Sequence, residues 1–228
     1  LVDTLAWYEP YMQAFVDSLD HTGLGKFEGR MKTFRAALEP LARLPPQHNV
    51  IVVELGTSRS FVDGAFPGCN SDDRQYWNPD DISRWDYGAG LFTVMAAEFL
   101  TRNHPKFELY TVDLCPQHIE RARHMTRPFA SHITYVVNDS VSFLAHFKTK
   151  CDLIYLDTGD MTPIEPTAQL QLKEAQTVVN ERLLNPQGYL LIDDVKNPTA
   201  LRQVSGNVWG KAMYSIPFLK SKGFRVIA

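Results

Sequence analysis

Short apolar runs alternate along the chain with segments in which apolar residues recur at helical spacing. The first run, "VIVVEL" at 50–55, is rich in β-branched residues, which is typical of a strand covered on both faces. Further runs predict strands at 108–114, 132–139, 151–157 and 188–194, and helical patterns lie between them at 90–102, 116–126, 140–147 and 165–184. Strands that alternate with helices predict an α/β fold: a doubly wound, mostly parallel, Rossmann-like sheet with helices on both faces.

The two ends of the chain carry additional patterns. Apolar residues at helical spacing before Pro45 predict two helices, which we interpret as an N-terminal helical cap over 1–46. This cap either packs on the domain or forms an interface in a homo-oligomer. The remainder, 47–228, is predicted to be a single α/β domain that ends with a helix reaching about 222 and a further strand, "GFRVI", at 223–227.

A long insertion interrupts the α/β pattern after the first strand. Residues 60–87 mix aromatic side chains with aspartates and show no strand or helix pattern. Loops of this length inside a domain are usually functional or disordered, and the aromatic residues argue against disorder. We interpret the insertion as a lid over a binding site, with plain structural packing as the alternative.

Composition narrows the classes of function. The net charge of −3 gives no basic surface for nucleic acid or for an anionic membrane, and no apolar run is long enough for a membrane span. The three cysteines, Cys69, Cys115 and Cys151, lack CxxC spacing, which favours reduced thiols. We therefore expect a cytoplasmic protein with neither a nucleic-acid partner nor a membrane partner.

Acidic residues stand at the end of every predicted strand within the alternating pattern. They are Glu54, Asp113, Asp139, Asp157 and the pair Asp193-Asp194. In doubly wound sheets the carboxyl ends of the strands share one edge, and ligands bind outside that edge. A single acid at a strand end is unremarkable, but acids at five ends concentrate negative charge on one edge. This edge is the predicted functional site.

The adjacent aspartates Asp193 and Asp194 place two like charges side by side. Asp157 ends the neighbouring strand, so three carboxylates are expected close together, and like charges repel unless a cation joins them. Oxygen ligands favour Mg²⁺ or Mn²⁺, with Ca²⁺ as another candidate, and there is no His-Cys set for zinc. The alternative is an acidic turn in water. Lys196, just past the pair, either neutralises spare charge or is exposed.

Five sequence pieces, in this order and spacing, resemble the class I S-adenosylmethionine-dependent methyltransferases: "VVELGTSRS", "YTVDL", "VNDS", "YLDTGD" and "GYLLIDDV". The resemblance begins near Val50 and runs to the end of the chain. Only one glycine, Gly56, follows the first strand, so the G-x-G-x-x-G dinucleotide fingerprint is missing. The P-loop pattern is absent as well. The resemblance implies S-adenosyl-L-methionine as the cofactor.

The resemblance also implies roles for individual residues. Gly56 would let the backbone approach the amino acid part of the cofactor, with Thr57 and Ser58 offering hydroxyls and amides, and Glu54 would add negative potential below it. Asp113 would accept hydrogen bonds from both ribose hydroxyls. Asp139 with Ser140 would meet the adenine, although Asn-Asp-Ser is also a good helix N-cap signal.

The aspartates at the last two strand ends are similar to those of the metal-dependent O-methyltransferases. Catechol O-methyltransferase uses an Asp and an Asp-Asn pair, and the macrocin-type antibiotic-sugar enzymes use an Asp and an Asp-Asp pair. The match to Asp157, Asp193 and Asp194 implies a divalent metal, Mg²⁺ or Mn²⁺, at these residues. The same resemblance makes Asp160 a general base, with a turn residue after Gly159 as the alternative.

These implications lead to one function hypothesis and two alternatives. The expected activity is metal-dependent methyl transfer to a hydroxyl of a small metabolite, such as a sugar, polyketide or phenol. The alternatives are a metal-independent N- or C-methyltransferase and a non-catalytic, methyltransferase-like binding module. His118 and the other helix and turn histidines are expected at the solvated surface. The segment 207–216 is considered as a wall facing the acceptor, but no residue in it is singled out.

Overall fold

A computed structural model describes residues 28–58, 91–159, 163–195 and 210–227, and it gives side chains from residue 33 onward. Within these ranges five strands form one parallel sheet with the order β3-β2-β1-β4-β5. The strands are β1 Val50–Leu55, β2 Phe107–Asp113, β3 Ile133–Val137, β4 Cys151–Leu156 and β5 Leu184–Ile192. The strand order reverses between β1 and β4, which is where ligands bind in sheets of this type.

Helices connect the strands and cover both faces of the sheet. They are α1 Glu28–Ala42, α2 Phe92–Asn103, α3 Pro116–Met125, α4 Ser140–His146, α5 Ile164–Asn180 and α6 Ser215–Ser221, with short 3-10 helices at Arg127–His132 and Gly210–Met213. None of the described helices has the length and apolar character needed to cross a membrane.

The alternation of side chains along β1 divides the apolar core into two layers. Val50 and Val52 face the layer formed with α1 and α2, whereas Ile51 and Val53 face the layer formed with α5 and α6. Both layers are buried, which explains why β1 contains no exposed position and appears in the sequence as a continuous apolar run.

Three aromatic rings fix helices α1 and α2 against the sheet. Phe34 of α1, Phe92 of α2 and Tyr155 of β4 lie with ring centroids 4.6 to 5.8 Å apart in tilted or edge-on arrangements. Such aromatic pairs add stabilisation beyond their buried area. The packing places the start of α2 at the carboxyl end of β1, where the predicted site lies.

The predicted fold class is confirmed, and the predicted strands agree with the structure apart from two regions. β5 begins at Leu184, four residues before the predicted start at 188 and at the last residue of the predicted helix, because α5 already stops at Asn180. The predicted strand at 223–227 is wrong: α6 ends at Ser221, and the following described residues form no strand. Val226 and Ile227 are 60% and 66% exposed, so the apolar pattern there does not correspond to burial in a sheet.

The predicted domain division stays a prediction. α1 is the described part of the predicted N-terminal cap, and its Phe34, Leu38 and Leu41 belong to the core shared with the sheet. Residues 1–27 and the predicted lid at 60–87 lie outside the described residues.

A buried carboxylate joins three elements at the amino edge of the sheet, opposite the predicted site. Asp152 in β4 accepts hydrogen bonds from the Ile51 amide at 2.9 Å, from Asn185 Nδ2 at 2.7 Å and from His48 Nε2 at 3.0 Å. Asp152 is 5% exposed, so water cannot replace these partners. The interaction ties β1, β4 and β5 together where their side chains are otherwise apolar.

We predict that Asp152→Ala lowers the free energy of unfolding by about 2–4 kcal/mol, because it leaves buried donors on β1 and β5 without an acceptor. Urea unfolding measures the change. The control is Asn49→Ala, which removes an exposed hydrogen bond to Glu108 and should alter stability by no more than about 0.5 kcal/mol. Equal stability of the two variants would contradict the proposed role of Asp152.

Candidate functional site

The turn after β1 requires a glycine for a reason that the sequence did not reveal. Gly56 has a φ of +88°, in the left-handed region that favours glycine. A Cβ atom added to Gly56 would lie 2.4 Å from the backbone oxygen of Asp157. The contact that excludes a side chain is therefore with the end of β4. Gly56 brings the turn after β1 directly against the first of the predicted metal ligands.

Glu54 lies beneath this turn rather than in water at the strand end. It is 1% exposed and accepts hydrogen bonds from Ser58 Oγ at 3.0 Å, from Thr111 Oγ1 at 2.8 Å and from the Thr93 hydroxyl. These partners come from the turn, from β2 and from the start of α2. Glu54 therefore joins three elements below the predicted cofactor site, and its predicted effect on the cofactor would act through the turn above it.

Burial raises the pKa of Glu54 to about 7, although the hydrogen bonds from Thr93, Thr111 and Ser58 act in the opposite direction. The carboxylate is fully enclosed, and desolvation penalises its charged form. Near neutral pH the folded protein thus holds a proton on Glu54 that the unfolded chain would release.

Thr57 and Ser58 direct most of their polar groups into the protein. The Thr57 amide donates to Asp113 Oδ2 at 3.3 Å, and the Ser58 amide donates to Thr93 Oγ1 at 3.2 Å. The Ser58 hydroxyl donates to Glu54, and Thr57 Oγ1 lies 2.6 Å from Thr111 Oγ1, which accepts the Thr57 hydroxyl proton while its own proton goes to Glu54. The expectation that both residues offer amides and hydroxyls to a cofactor stays a prediction. In the structure these groups hold the turn in shape.

Asp113, at the end of β2, lies beside the same turn. Its Oδ2 accepts from the Thr57 amide, and its Oδ1 accepts from the Cys115 amide at 2.8 Å and from His118 Nδ1 at 3.1 Å. Desolvation raises the pKa of Asp113, but these hydrogen bonds lower it by more, so the net shift is downward. Asp113 is thus a half-buried, ionised acceptor next to Gly56.

His118 is only partly solvated, and it contacts a strand end rather than lying away from all of them. α3 begins at Pro116, and its first turn places the His118 ring against Asp113, where the side chain is only 28% exposed. Sequence spacing alone could have suggested this contact, because a residue in the first turn of the helix after β2 lies near the end of that strand.

Asp139 is the N-cap of α4, one of the two roles considered from the sequence. Its side chain accepts a hydrogen bond from the Ser142 amide at 2.8 Å, and this bond lowers the pKa of Asp139. Asp139 is exposed, whereas Ser140 is 6% exposed and donates to the buried Glu174. The adenine role of both residues stays a prediction.

Glu174 is a buried acid that the sequence analysis missed. It lies in α5, accepts from Ser140 and from Thr158 Oγ1 at 2.6 Å, and has a pKa raised to about 7 by burial. Its Oε2 atom has no hydrogen-bond partner among the described residues. Glu174 occupies a position inside a helical pattern and follows no motif, so the sequence carried no signal for it.

Three aspartates converge at the ends of β4 and β5, as the sequence predicted. Asp157, Asp193 and Asp194 are half-buried, and each offers a carboxylate oxygen within 4.8 Å of the others. Asp193 continues the ladder by donating its amide to the Leu156 oxygen at 3.1 Å. Asp194 then adopts a φ of +51°, in the left-handed region that Asp tolerates better than most residues. This turn allows two adjacent side chains to share one site.

The chain itself supplies a cation to this cluster. Lys211, in the 3-10 helix Gly210–Met213, has a side chain that is 1% exposed. Its Nζ atom lies 3.1 Å from Asp194 Oδ2 and 3.3 Å from Asp157 Oδ1, and it donates to the Gly159 oxygen at 2.9 Å. Burial lowers the pKa of Lys211, but the carboxylates of Asp157 and Asp194 raise it by more. Lys211 is therefore a charge partner of the cluster, a role that the sequence suggested as one of two for Lys196.

The donor set fits a divalent cation in chemistry and in charge. Three carboxylates carry a formal charge of −3 and Lys211 carries +1, which leaves −2. Carboxylate oxygens are the ligands that Mg²⁺ and Mn²⁺ prefer. Asp160 and Lys196 lie outside the described residues, so the general-base role of Asp160 stays a prediction.

Part of the chain matches a known protein family. Residues 86–195 match the model of a family described as a methyltransferase domain, and this match contains Asp113, Asp157 and the pair Asp193-Asp194. The turn at Gly56 lies before it. No curated protein is a significant match to the chain by sequence.

Solved structures resemble the chain at low sequence identity. A protein from Corynebacterium glutamicum has a TM-score of 0.51 and 9% identity, covering 92% of this chain and 79% of that one. The O-methyltransferase TomG from Streptomyces achromogenes, solved with S-adenosylmethionine, has a TM-score of 0.47 and 15% identity, covering 95% and 79%. The Podospora anserina methyltransferase PaMTH1, bound to S-adenosylhomocysteine, has a TM-score of 0.45 and 13% identity, covering 86% and 63%. The first of these likenesses agrees with the fold described above.

We predict that Glu54→Gln makes stability less dependent on pH. The pKa of Glu54 rises from 4.5 to about 7 on folding, so its ionisation costs stability, and that cost grows as pH rises through this window. Between pH 5 and 8 the variant should therefore gain about 3 kcal/mol relative to the parent.

Urea unfolding at several pH values measures this difference. The control is Glu39→Gln, which changes an exposed glutamate of α1 and should follow the parent curve. A parallel pH profile for the parent and Glu54→Gln would contradict the assignment of a raised pKa to Glu54.

Proposed function

We propose that the chain is a class I S-adenosylmethionine-dependent methyltransferase, and that it methylates a hydroxyl oxygen of a small metabolite with the help of a divalent cation. The acceptor class is a sugar, polyketide or phenol. One observation carries the proposal: the turn at Gly56 lies against the Asp157 backbone, so the proposed donor site adjoins the aspartate cluster. A methyl donor at the turn and an acceptor at the cluster would then be neighbours.

Asp113 is the best-supported residue for holding the methyl donor. It is ionised, remains partly exposed, and lies next to the turn at Gly56. A carboxylate accepts hydrogen bonds through both oxygens and donates none, which suits the two ribose hydroxyls of S-adenosylmethionine. His118 and the Cys115 amide hold one oxygen of Asp113 and thereby set the direction of the other.

Asp157, Asp193 and Asp194 would hold Mg²⁺ or Mn²⁺. When bound, such an ion lowers the pKa of an acceptor hydroxyl and fixes the acceptor oxygen in place. The residues of the chain do the remaining work. The β4 and β5 ends fix the spacing of the aspartates, and Asp160 is proposed to accept the proton of the hydroxyl. Methyl transfer from a sulfonium is an in-line displacement, so its rate depends on this positioning.

Lys211 favours a second candidate, a metal-independent N- or C-methyltransferase. Its ammonium group already bonds two of the three aspartates and could serve as the only cation of the cluster. In that case the aspartates would orient an acceptor amine or acidic carbon without a metal. The two candidates differ in their response to a chelator.

We predict that methyl transfer requires Mg²⁺ or Mn²⁺ and stops in EDTA. Transfer of labelled methyl from S-adenosylmethionine to a panel of sugars, polyketides and phenols measures this dependence. Persistent activity in EDTA after removal of bound metal would contradict metal dependence and support the second candidate.

We predict that two isosteric variants impair different steps, one the metal-stimulated turnover and the other the binding of S-adenosylmethionine. Asp193→Asn should lower metal-stimulated turnover by about 100-fold, because it removes a charged ligand, while the affinity for S-adenosylmethionine stays nearly unchanged. Asp113→Asn should weaken S-adenosylmethionine binding by about tenfold or more, while the affinity for Mn²⁺ stays nearly unchanged. Calorimetric titration measures the affinity of each variant for S-adenosylmethionine and for Mn²⁺, and each variant is the control for the other. Loss of both affinities in either variant would contradict separate sites.

A further inference from the structure

The Lys211 ammonium group is surrounded by carboxylate and backbone oxygen atoms at the aspartate cluster. Its Nζ atom lies within 3.4 Å of one oxygen each from Asp157, Asp194, Thr158 and Gly159. The side chain is 1% exposed, so these contacts replace water entirely. An ammonium group has three protons to donate, and here each proton has an oxygen within reach.

The formal charges around Lys211 determine how it affects metal binding. Without it, Asp157, Asp193 and Asp194 would place three negative charges within 4.8 Å of one another. With it, the formal charges of these four described residues sum to −2. Among the described residues Glu174 also acts on Lys211, but it lies behind Thr158 and bonds to hydroxyl groups. A cation that enters the cluster therefore meets both the carboxylates and a fixed positive charge.

We propose that Lys211 is the built-in counter-charge of the aspartate cluster, and that its positive charge lowers the affinity of the cluster for a divalent cation. This inference rests on the metal-binding part of the proposed function. It gives Lys211 a positioning role: the lysine holds Asp157 and Asp194 together, and it opposes the cation by charge.

The two effects of Lys211 act in opposite directions, which separates the proposal from a structural role. Removing the ammonium group takes a positive charge away from three half-buried carboxylates, so the protein should become less stable in the absence of metal. The same change removes a repulsive charge, so Mn²⁺ should bind more tightly. A lysine that only supported the local structure would lower both stability and affinity when removed.

The experiment compares the parent with Lys211→Met, which keeps an unbranched side chain but removes the charge. Calorimetric titration with Mn²⁺ should give an affinity about tenfold or more above that of the parent. The melting temperature in EDTA should fall by about 5–15 °C, and saturating Mn²⁺ should restore much of the loss. The control is Lys106→Met, an exposed lysine before β2 at the opposite edge of the sheet, which should match the parent in both measurements.

A double variant keeps the test informative if Lys211→Met does not fold. Lys211→Met with Asp194→Asn removes one charge of each sign and returns the net charge of the cluster to −2. Because the two residues are in contact, their effects should be non-additive. The double variant should melt well above Lys211→Met in EDTA. A double variant that melts no higher than Lys211→Met, or that also fails to fold, would overturn the counter-charge proposal.

The outcomes separate this inference from the proposed function. Tighter Mn²⁺ binding in Lys211→Met than in the parent supports the inference. Equal or weaker binding, with measurable binding by the parent, overturns the inference and leaves metal dependence intact. Binding by the variant alone supports the inference and overturns metal dependence. Absence of binding in both proteins overturns both.

Discussion

Three carboxylates within 4.8 Å of one another repel, positive charge beside them relieves that repulsion, and this constraint governs the carboxyl edge of the sheet. Lys211 supplies one charge from within the chain, and the remaining charge of −2 is what a divalent cation would balance. The left-handed turn at Asp194 allows adjacent aspartates to share the cluster. Gly56 places the turn after β1 against the same residues. The proposed donor and metal sites are therefore one connected structure.

Two buried glutamates support this edge of the sheet from below. Glu54 lies under the turn at Gly56, and Glu174 lies under Ser140 and Thr158, each bonded to hydroxyl groups from neighbouring elements. Burial raises the pKa of both to about 7, so holding them costs stability at neutral pH. Their hydrogen bonds fix the loops that carry the proposed site residues. The protein thus gives up some stability to hold these loops in defined positions.

The sequence predicted the sheet well because β-branched runs covered on both faces produce an unambiguous pattern, as in "VIVVEL". It also predicted the convergence of Asp157, Asp193 and Asp194, since parallel strands end at one edge. It did not predict Lys211, because a single lysine outside any motif has no spacing that relates it to a strand end. It did not predict that Glu54 is fully buried, because its partners Thr93 and Thr111 are distant in sequence. The strand predicted at 223–227 failed because strand propensity depends on a neighbouring strand to pair with.

The central claim is that a divalent cation binds at these aspartates beside the methyl donor. Anomalous diffraction from a crystal grown with Mn²⁺ and S-adenosylhomocysteine tests it most directly. The account predicts a manganese peak within bonding distance of Asp157, Asp193 and Asp194, with the Lys211 ammonium still beside Asp194 and the ribose against Asp113. A crystal with S-adenosylhomocysteine bound and no manganese peak at the aspartates would contradict it.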